Sequence, residues 1–255
     1  RADVAAAERL IGDRTALVVG SAPNYPFGVV DPIPELSALA ADRGISFHTD
    51  SCLGSFLLPF LERLGEPVPP FDFRVPGVTT MSADVHKYGY CTKGASTVIH
   101  RDERHLKKYQ LFVYDRWPGG LYASFAMAGA RPAAPIAAAW AVMRFLGEDG
   151  YLKLARRVRD TTRKLREGIA AVDGLHVWGE PVMSVLSFGS DRHDVMAIGD
   201  VMDDRGWHLD RQHGPEALHF MVSPEHAEVA DAFLADLREA VAHHGESRGK
   251  DARYS

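Results

Sequence analysis

"SADVHKYGYCTKGAS", residues 82–96, holds two lysines, Lys87 and Lys93, among glycines, tyrosines and small residues. Lysines on a solvated helix face keep charged, periodic company, and these two do not. An amine set among aromatic and small side chains loses solvent, and desolvation disfavours its charged form. Val78 to Ala83 reads as a strand feeding directly into the stretch, and "STVIH" (96–100) reads as another strand after it. Upstream, "ISFHTD" (45–50) alternates as a half-buried strand does and stops on Asp50. Lys87 and Asp50 therefore both fall just past the carboxyl ends of expected strands. In an open α/β sheet that edge is where ligands bind. A lysine and an aspartate distant in sequence are thus expected to converge on one pocket.

The flanking segments support an α/β sheet. "TALVVG" (15–20) is a short apolar run ending in glycine, expected as a buried strand. "DPIPELSALAADRG" (31–44) is expected as a helix, with Asp31 as N-cap, Pro32 at the first helical position and Gly44 after its end. Residues 1–12 read as an amphipathic helix capped by Asp3. Strands alternating with helices favour parallel pairing. After Arg131 the texture changes. A helix is expected over 132–146, and from Tyr151 the residues Leu154, Val158, Leu165 and Ile169 recur at helical spacing. A strand (183–188), a helix (195–205), a strand (218–222) and a helix (225–243) complete the pattern. The expected organisation is part of a larger domain over 1–131, then a connecting helix and small α/β domain over 132–243. The tail, 244–255, lacks apolar residues to pack and is expected to be disordered.

Composition excludes several classes. The 255 residues carry 29 basic and 34 acidic side chains, a net charge of −5, with no general attraction for nucleic acid or anionic membranes. Two cysteines, Cys52 and Cys91, cannot build a disulfide framework, so a reducing cytoplasm is the default location. The longest apolar stretch, 133–143, is too short and alanine-rich to span a bilayer. His48, Asp50 and Cys52 alternate at one strand end, but they are an incomplete ligand set and no metal is expected.

Taken singly, each candidate has a plain structural reading. Asp50 can cap a helix, a loop lysine is usually structural, and the cysteines serve as small buried residues. The combination says more. A desolvated lysine that forms a Schiff base, with a carboxylate placed to pair a pyridinium nitrogen, is the minimal apparatus of pyridoxal-phosphate catalysis.

Four blocks carry a resemblance: "GSAPNYPFGVVDPI", "FHTDSCLGSFLLPF", "FDFRVPGVTTMSADVHKYGYCTKGAS" and "GGLYASFAMAGARP". In this order and spacing the chain resembles the sphingosine-1-phosphate lyases, from about Leu17 to Pro132 and more weakly through "LHFMVSPEH". A His-Lys pair alone is shared by many decarboxylases, whereas "FDFRVPGV" followed by "SADVHKYGY" is much more specific and favours the lyases. The resemblance implies the aspartate-aminotransferase (type I) fold, relationship to the group II pyridoxal-phosphate decarboxylases, and pyridoxal 5'-phosphate as cofactor. It implies retro-aldol cleavage of a phosphorylated long-chain base to a fatty aldehyde and ethanolamine phosphate. Lys87 aligns with the Schiff-base lysine, Asp50 with the aspartate that pairs the ring nitrogen, and His86 with a histidine near the cofactor phosphate. Lys93 aligns with a second active-site lysine used in proton transfer or substrate contact. Gly119 and Gly120 align with a loop near the phosphate across a homodimer interface. Arg131 is either a contact for a substrate anion or a surface arginine.

Alternatives stay open at this point: a group II amino-acid decarboxylase built on the same Lys87 and Asp50, or an incomplete, non-catalytic fragment. Ser51 and Ser55 stand where the family pattern has alanine and glycine, Thr92 where it has proline, and Ala95 where it has serine. These changes touch substrate detail rather than the cofactor. No stretch before Asp50 reads as the Gly/Ser/Thr loop that holds the cofactor phosphate in this fold. An upstream segment, on the same product or a separate chain, is therefore expected to complete the site, and a membrane anchor in that segment is compatible with the pattern.

Overall fold

The computed structural model describes residues 1–109, 111–125 and 129–249. In chain order its elements are α1 (Val4–Leu10), β1 (Leu17–Ser21), α2 (Ile33–Asp42), β2 (Ser46–Asp50), α3 (Leu58–Arg63), β3 (Thr80–Ala83), β4 (Thr97–His100) and α4 (Glu103–Tyr109). There follow β5 (Phe112–Tyr114), β6 (Tyr122–Ser124), α5 (Ala133–Ala170), β7 (Leu175–Val177), β8 (Val185–Ser190), α6 (Val195–Asp204), β9 (Asp210–Gln212), β10 (Ala217–Met221) and α7 (Ala230–His243). They fall into two compact units. The first comprises Arg1–Ala22, Asp31–Phe56 and Pro69–Gly147; the second comprises Pro23–Val30, Leu57–Val68 and the chain from Glu148. The dividing point in α5 is Gly147, whose φ of 56° breaks the helix where a side chain would be strained.

The first unit is built on the sheet β1-β2-β3-β4. The first three strands pair in parallel, as alternation with helices led one to expect, but β4 returns antiparallel to β3. The connection from β3 to β4 is made of turns rather than a crossover helix, and a parallel return needs a crossover. One face of the sheet is apolar: Phe47 and Met81 are buried, with Ile33, Leu36 and Ala40 of α2. A Cβ on Gly20 would lie 2.6 Å from Ile33 and 3.0 Å from Phe47, so glycine in β1 is what lets α2 lie this close. Burial of each such large side chain is worth about 1.5–3 kcal/mol. The opposite face presents His48, Asp50, Thr80 and Ser82, all half-buried. That is the face with polar work to do.

Asp31 is not the cap of α2. The helix begins at Ile33 and Pro32 occupies the N-cap position, with no side-chain bond. The Asp31 carboxylate instead accepts from Ser21 N at 2.9 Å and Ala2 N at 2.8 Å, tying the end of β1 to the start of the chain.

The second unit is an antiparallel sheet, β7-β8-β10-β9. Its core joins Leu165 and Ile169 of α5 to Leu186, Phe188, Ile198, Met202, Leu218 and Leu237. Segment 23–30 belongs to this unit: Tyr25 Oη donates to Asp210 at 3.0 Å, and its carbonyl lies 3.0 Å from His219 Nε2. His219 is fully buried, and burial holds its imidazole below the ordinary histidine value. Of the expected disordered tail, 244–249 is described and Arg248 N donates to Asp200 at 2.7 Å. The rest of the tail lies outside the described residues.

Candidate active site

Asp50 ends β2, and Ser82 lies beside it on β3. Asp50 Oδ1 accepts from Ser82 Oγ at 2.9 Å and from Cys52 N at 3.2 Å. Burial pushes this half-buried carboxyl up, but the hydrogen bonds from Ser82 and Cys52 outweigh it and the net direction is down. Asp50 is therefore ionised at neutral pH. Ser51 and Ser55, the departures from the family pattern, have a visible task here. Their hydroxyl oxygens lie 2.7 and 2.9 Å from the Ser82 carbonyl and 2.7 Å from each other, so two protons are shared among three contacts. Each such bond contributes about 1 kcal/mol, and together they lock the end of β2 to β3 under the carboxylate.

Lys87 is carried by consecutive turns. Asp84 N donates to Cys52 O at 3.2 Å, Lys87 N to Asp84 O at 3.1 Å, and Tyr90 N to Lys87 O at 3.0 Å. A Cβ on Gly89 would sit 2.4 Å from Val85 O, so the turn admits only glycine there. The turn aims the Lys87 amine at the end of β2: Nζ donates to Cys52 Sγ at 3.0 Å and lies 3.1 Å from Asp84 Oδ2. Amine and Asp50 carboxylate thus both touch Cys52, one through its sulfur and one through its backbone N–H.

The electrostatics of the amine differ from the expectation drawn from its neighbours. Burial alone pushes Lys87 down, yet contacts with Cys52 and Asp84 more than offset it, and the net direction is up. Burial pushes the Cys52 thiol up, so it is neutral at ordinary pH. Asp84 is then the anion that holds the ammonium. Its other oxygen, Oδ1, accepts from Ser96 Oγ. His86 Nδ1 lies 3.0 Å from Ala95 O, and a carbonyl only accepts, so Nδ1 carries the proton. His86 Nε2 then faces Asp84 Oδ2 at 3.8 Å.

Of the residues singled out from sequence, Asp50, His86 and Lys87 come together around Cys52 and Asp84. Lys93 is exposed and makes no hydrogen bond or ion pair among the described residues. Gly119 and Gly120 lie exposed in the turn between β5 and β6, where Gly120 N donates to Trp117 O at 3.2 Å. Arg131 is exposed, its guanidinium 3.4 Å from Gly129 O. Sequence reasoning missed Ser82 and Asp84 and took Cys52 for a plain buried residue. The available signal was spacing: Asp84 and Lys87 stand three apart in a turn, where side chains meet.

Residues 16–190 match the family model described as the pyridoxal-dependent decarboxylase conserved domain. The chain is 46% identical over 241 residues to a sphingosine-1-phosphate lyase of Arabidopsis thaliana, covering 94% of this chain and 44% of that protein. It is 43% identical to sphingosine-1-phosphate lyase 1 of Rattus norvegicus, covering 94% of this chain and 42% of the relative. It therefore spans less than half the length of these relatives. Among solved structures, a sphingosine-1-phosphate lyase of Burkholderia pseudomallei superposes with a TM-score of 0.91 at 40% identity, over 96% of this chain and 56% of that one. A glutamate decarboxylase of Lactobacillus brevis superposes at 0.79 and 21% identity, over 94% of this chain and 58% of that one, a likeness of fold alone. The fold is the type I fold of pyridoxal-phosphate enzymes, as the four blocks of sequence implied.

Proposed function

Because this chain belongs to the family of the pyridoxal-dependent decarboxylase conserved domain, we propose that it bears the cofactor-binding lysine of a carbon–carbon lyase acting on phosphorylated long-chain bases. The products are a fatty aldehyde and ethanolamine phosphate. The observation that carries the reading is the convergence of Lys87 Nζ and the ionised Asp50 carboxylate on Cys52. This donor set fits pyridoxal 5'-phosphate: an amine to bind its aldehyde and a carboxylate to pair its ring nitrogen. When bound, the cofactor supplies an electron sink for the carbanion left by cleavage of the C2–C3 bond. The identity to sphingosine-1-phosphate lyases supports the choice of substrate over an amino acid.

Each residue of the chain has one task in this reading. Lys87 would hold the cofactor and give it up to the substrate amine. Asp50, kept charged by Ser82 and Cys52 N, holds a proton on the ring nitrogen. His86, fixed through Ala95 O, would serve beside the cofactor phosphate. Lys93, Gly119, Gly120 and Arg131 are assigned to substrate, phosphate and a partner copy. The exposed apolar residues of the β5–β6 hairpin, Phe112, Trp117, Leu121 and Tyr122, support a homodimer. Residues 1–131, apart from segments 23–30 and 57–68 that belong to the second unit, serve as part of the large domain and 132–243 as connecting helix, split at Gly147, and small domain, with an upstream segment supplying the phosphate loop. Among the described residues no helix is long and apolar enough to cross a membrane, and the two free cysteines support a cytoplasmic location.

Borohydride reduction of the protein loaded with pyridoxal phosphate, followed by peptide mapping, is expected to fix the pyridoxyl group on Lys87. A label confined to another lysine overturns the reading. Release of fatty aldehyde from a phosphorylated long-chain base supports the lyase, whereas release of carbon dioxide from amino acids would move the chain among the decarboxylases.

A further inference from the structure

We propose that Asp84 is the positioning residue for Lys87: anchored by Ser96 through one oxygen, it holds the lysine amine at Cys52 with the other until that amine is consumed. The inference rests on the reading of Lys87 as the cofactor-bearing lysine.

The geometry is that of a shared anion. Asp84 N is bound to Cys52 O, so its backbone is fixed at the end of β3. Ser96 Oγ holds Oδ1. Oδ2 then meets two cationic or potentially cationic groups, Lys87 Nζ at 3.1 Å and His86 Nε2 at 3.8 Å. The nearer one holds it. The Asp84 side chain is 15% exposed and that of Lys87 28%, so solvent and salt screen the pair only partly. The groups facing the amine are Cys52 from the end of β2 and Asp84 from the turn after β3; His86 faces the same carboxylate, and Asp50 is occupied by Ser82 and Cys52 N. With the thiol neutral, Asp84 is the one anion in contact with the amine among the described residues.

A consequence follows for cofactor loading. A primary amine condenses with an aldehyde only as the free base. The ammonium loses a proton to solvent, nitrogen forms the C=N bond, and the carbonyl oxygen leaves as water. Asp84 favours the ammonium and so opposes the first of these events. It holds the amine in place and makes its release dependent on pH.

The test reads Lys87 directly in cofactor-free protein, by competitive labelling with acetic anhydride across pH and peptide mapping. The wild-type midpoint for Lys87 is expected above the ordinary lysine value of about 10.4. An opposite charge at this range shifts a titration by about 1–3 units, so Asp84→Asn should label at least about tenfold faster at about pH 8. Asp84→Glu, which restores the charge, should bring the midpoint back up. An Asp84→Asn profile equal to wild type overturns the proposal, as does an Asp84→Glu profile that stays with Asp84→Asn. A wild-type midpoint below the ordinary value overturns it without any variant, which covers a failure of Asp84→Asn to fold. The borohydride label on Lys87 is independent of this measurement, so failure here leaves the cofactor reading standing, and failure there is separately visible.

Discussion

Replacing Asp50 by asparagine separates its structural task from its chemical one. In the fold, Oδ1 accepts one bond from Ser82 Oγ and one from Cys52 N. An asparagine oxygen in that place accepts both, but as neutral bonds, which are about half as strong as charge-assisted ones. The loss is then about 1–2 kcal/mol, a fall in Tm of roughly 2–8 °C for a chain of this size. The chemical loss is larger. A carboxamide cannot hold a proton on a ring nitrogen by charge, and removing one partner of a desolvated ion pair costs about 3–5 kcal/mol. Asp50 is half-buried, so solvent screens part of that and the lower end applies. At about 3 kcal/mol, turnover falls about a hundredfold or more. Calorimetry and steady-state kinetics on the loaded Asp50→Asn protein give the two numbers independently. A folded variant with near-wild-type turnover would falsify the reasoning and leave Asp50 as a tie between strand ends.

Two further expectations follow from particular side chains. Lys93→Ala should slow turnover while borohydride still labels Lys87, because the exposed second amine is assigned to substrate; unchanged kinetics return Lys93 to the surface. His219 is held below its ordinary value by burial, against the raising effects of Tyr25 O and Asp210. Below about pH 6.5 the unfolded chain takes up a proton there that the folded one refuses, so stability falls with falling pH, by at most about 1.4 kcal/mol per unit. Wild type should lose Tm between about pH 7.5 and 5.5 relative to His219→Gln, and parallel slopes in the two proteins would count against this account.

What was legible in the sequence was whatever burial and chain direction write locally. The alternation of "ISFHTD" placed Asp50 at the end of β2, and the run into "SADVHKYGY" placed Lys87 beyond β3, because a strand's period and its exit are near-neighbour properties. The direction of β4 was not legible. It depends on whether residues 84–96 form a crossover or turns, which is settled by tertiary contacts of the segment. Asp31 followed by Pro32 has the look of a capped helix start, yet the carboxylate found stronger donors in Ser21 N and Ala2 N, which no local rule names. The most instructive difference is Lys87 itself. Small and aromatic neighbours correctly signal partial burial, and burial alone depresses an amine. Whether an anion waits in the same pocket is a tertiary fact. It depends on turns that close Asp84 onto Cys52 O across the strand ends, and on Ser96, just before β4, holding the far oxygen. Contacts with Cys52 at the end of β2 and with the Asp84 carboxylate three residues away together reverse the sign that composition suggests. In this site the protonation state of the lysine is therefore set by chain geometry more than by the polarity of its surroundings.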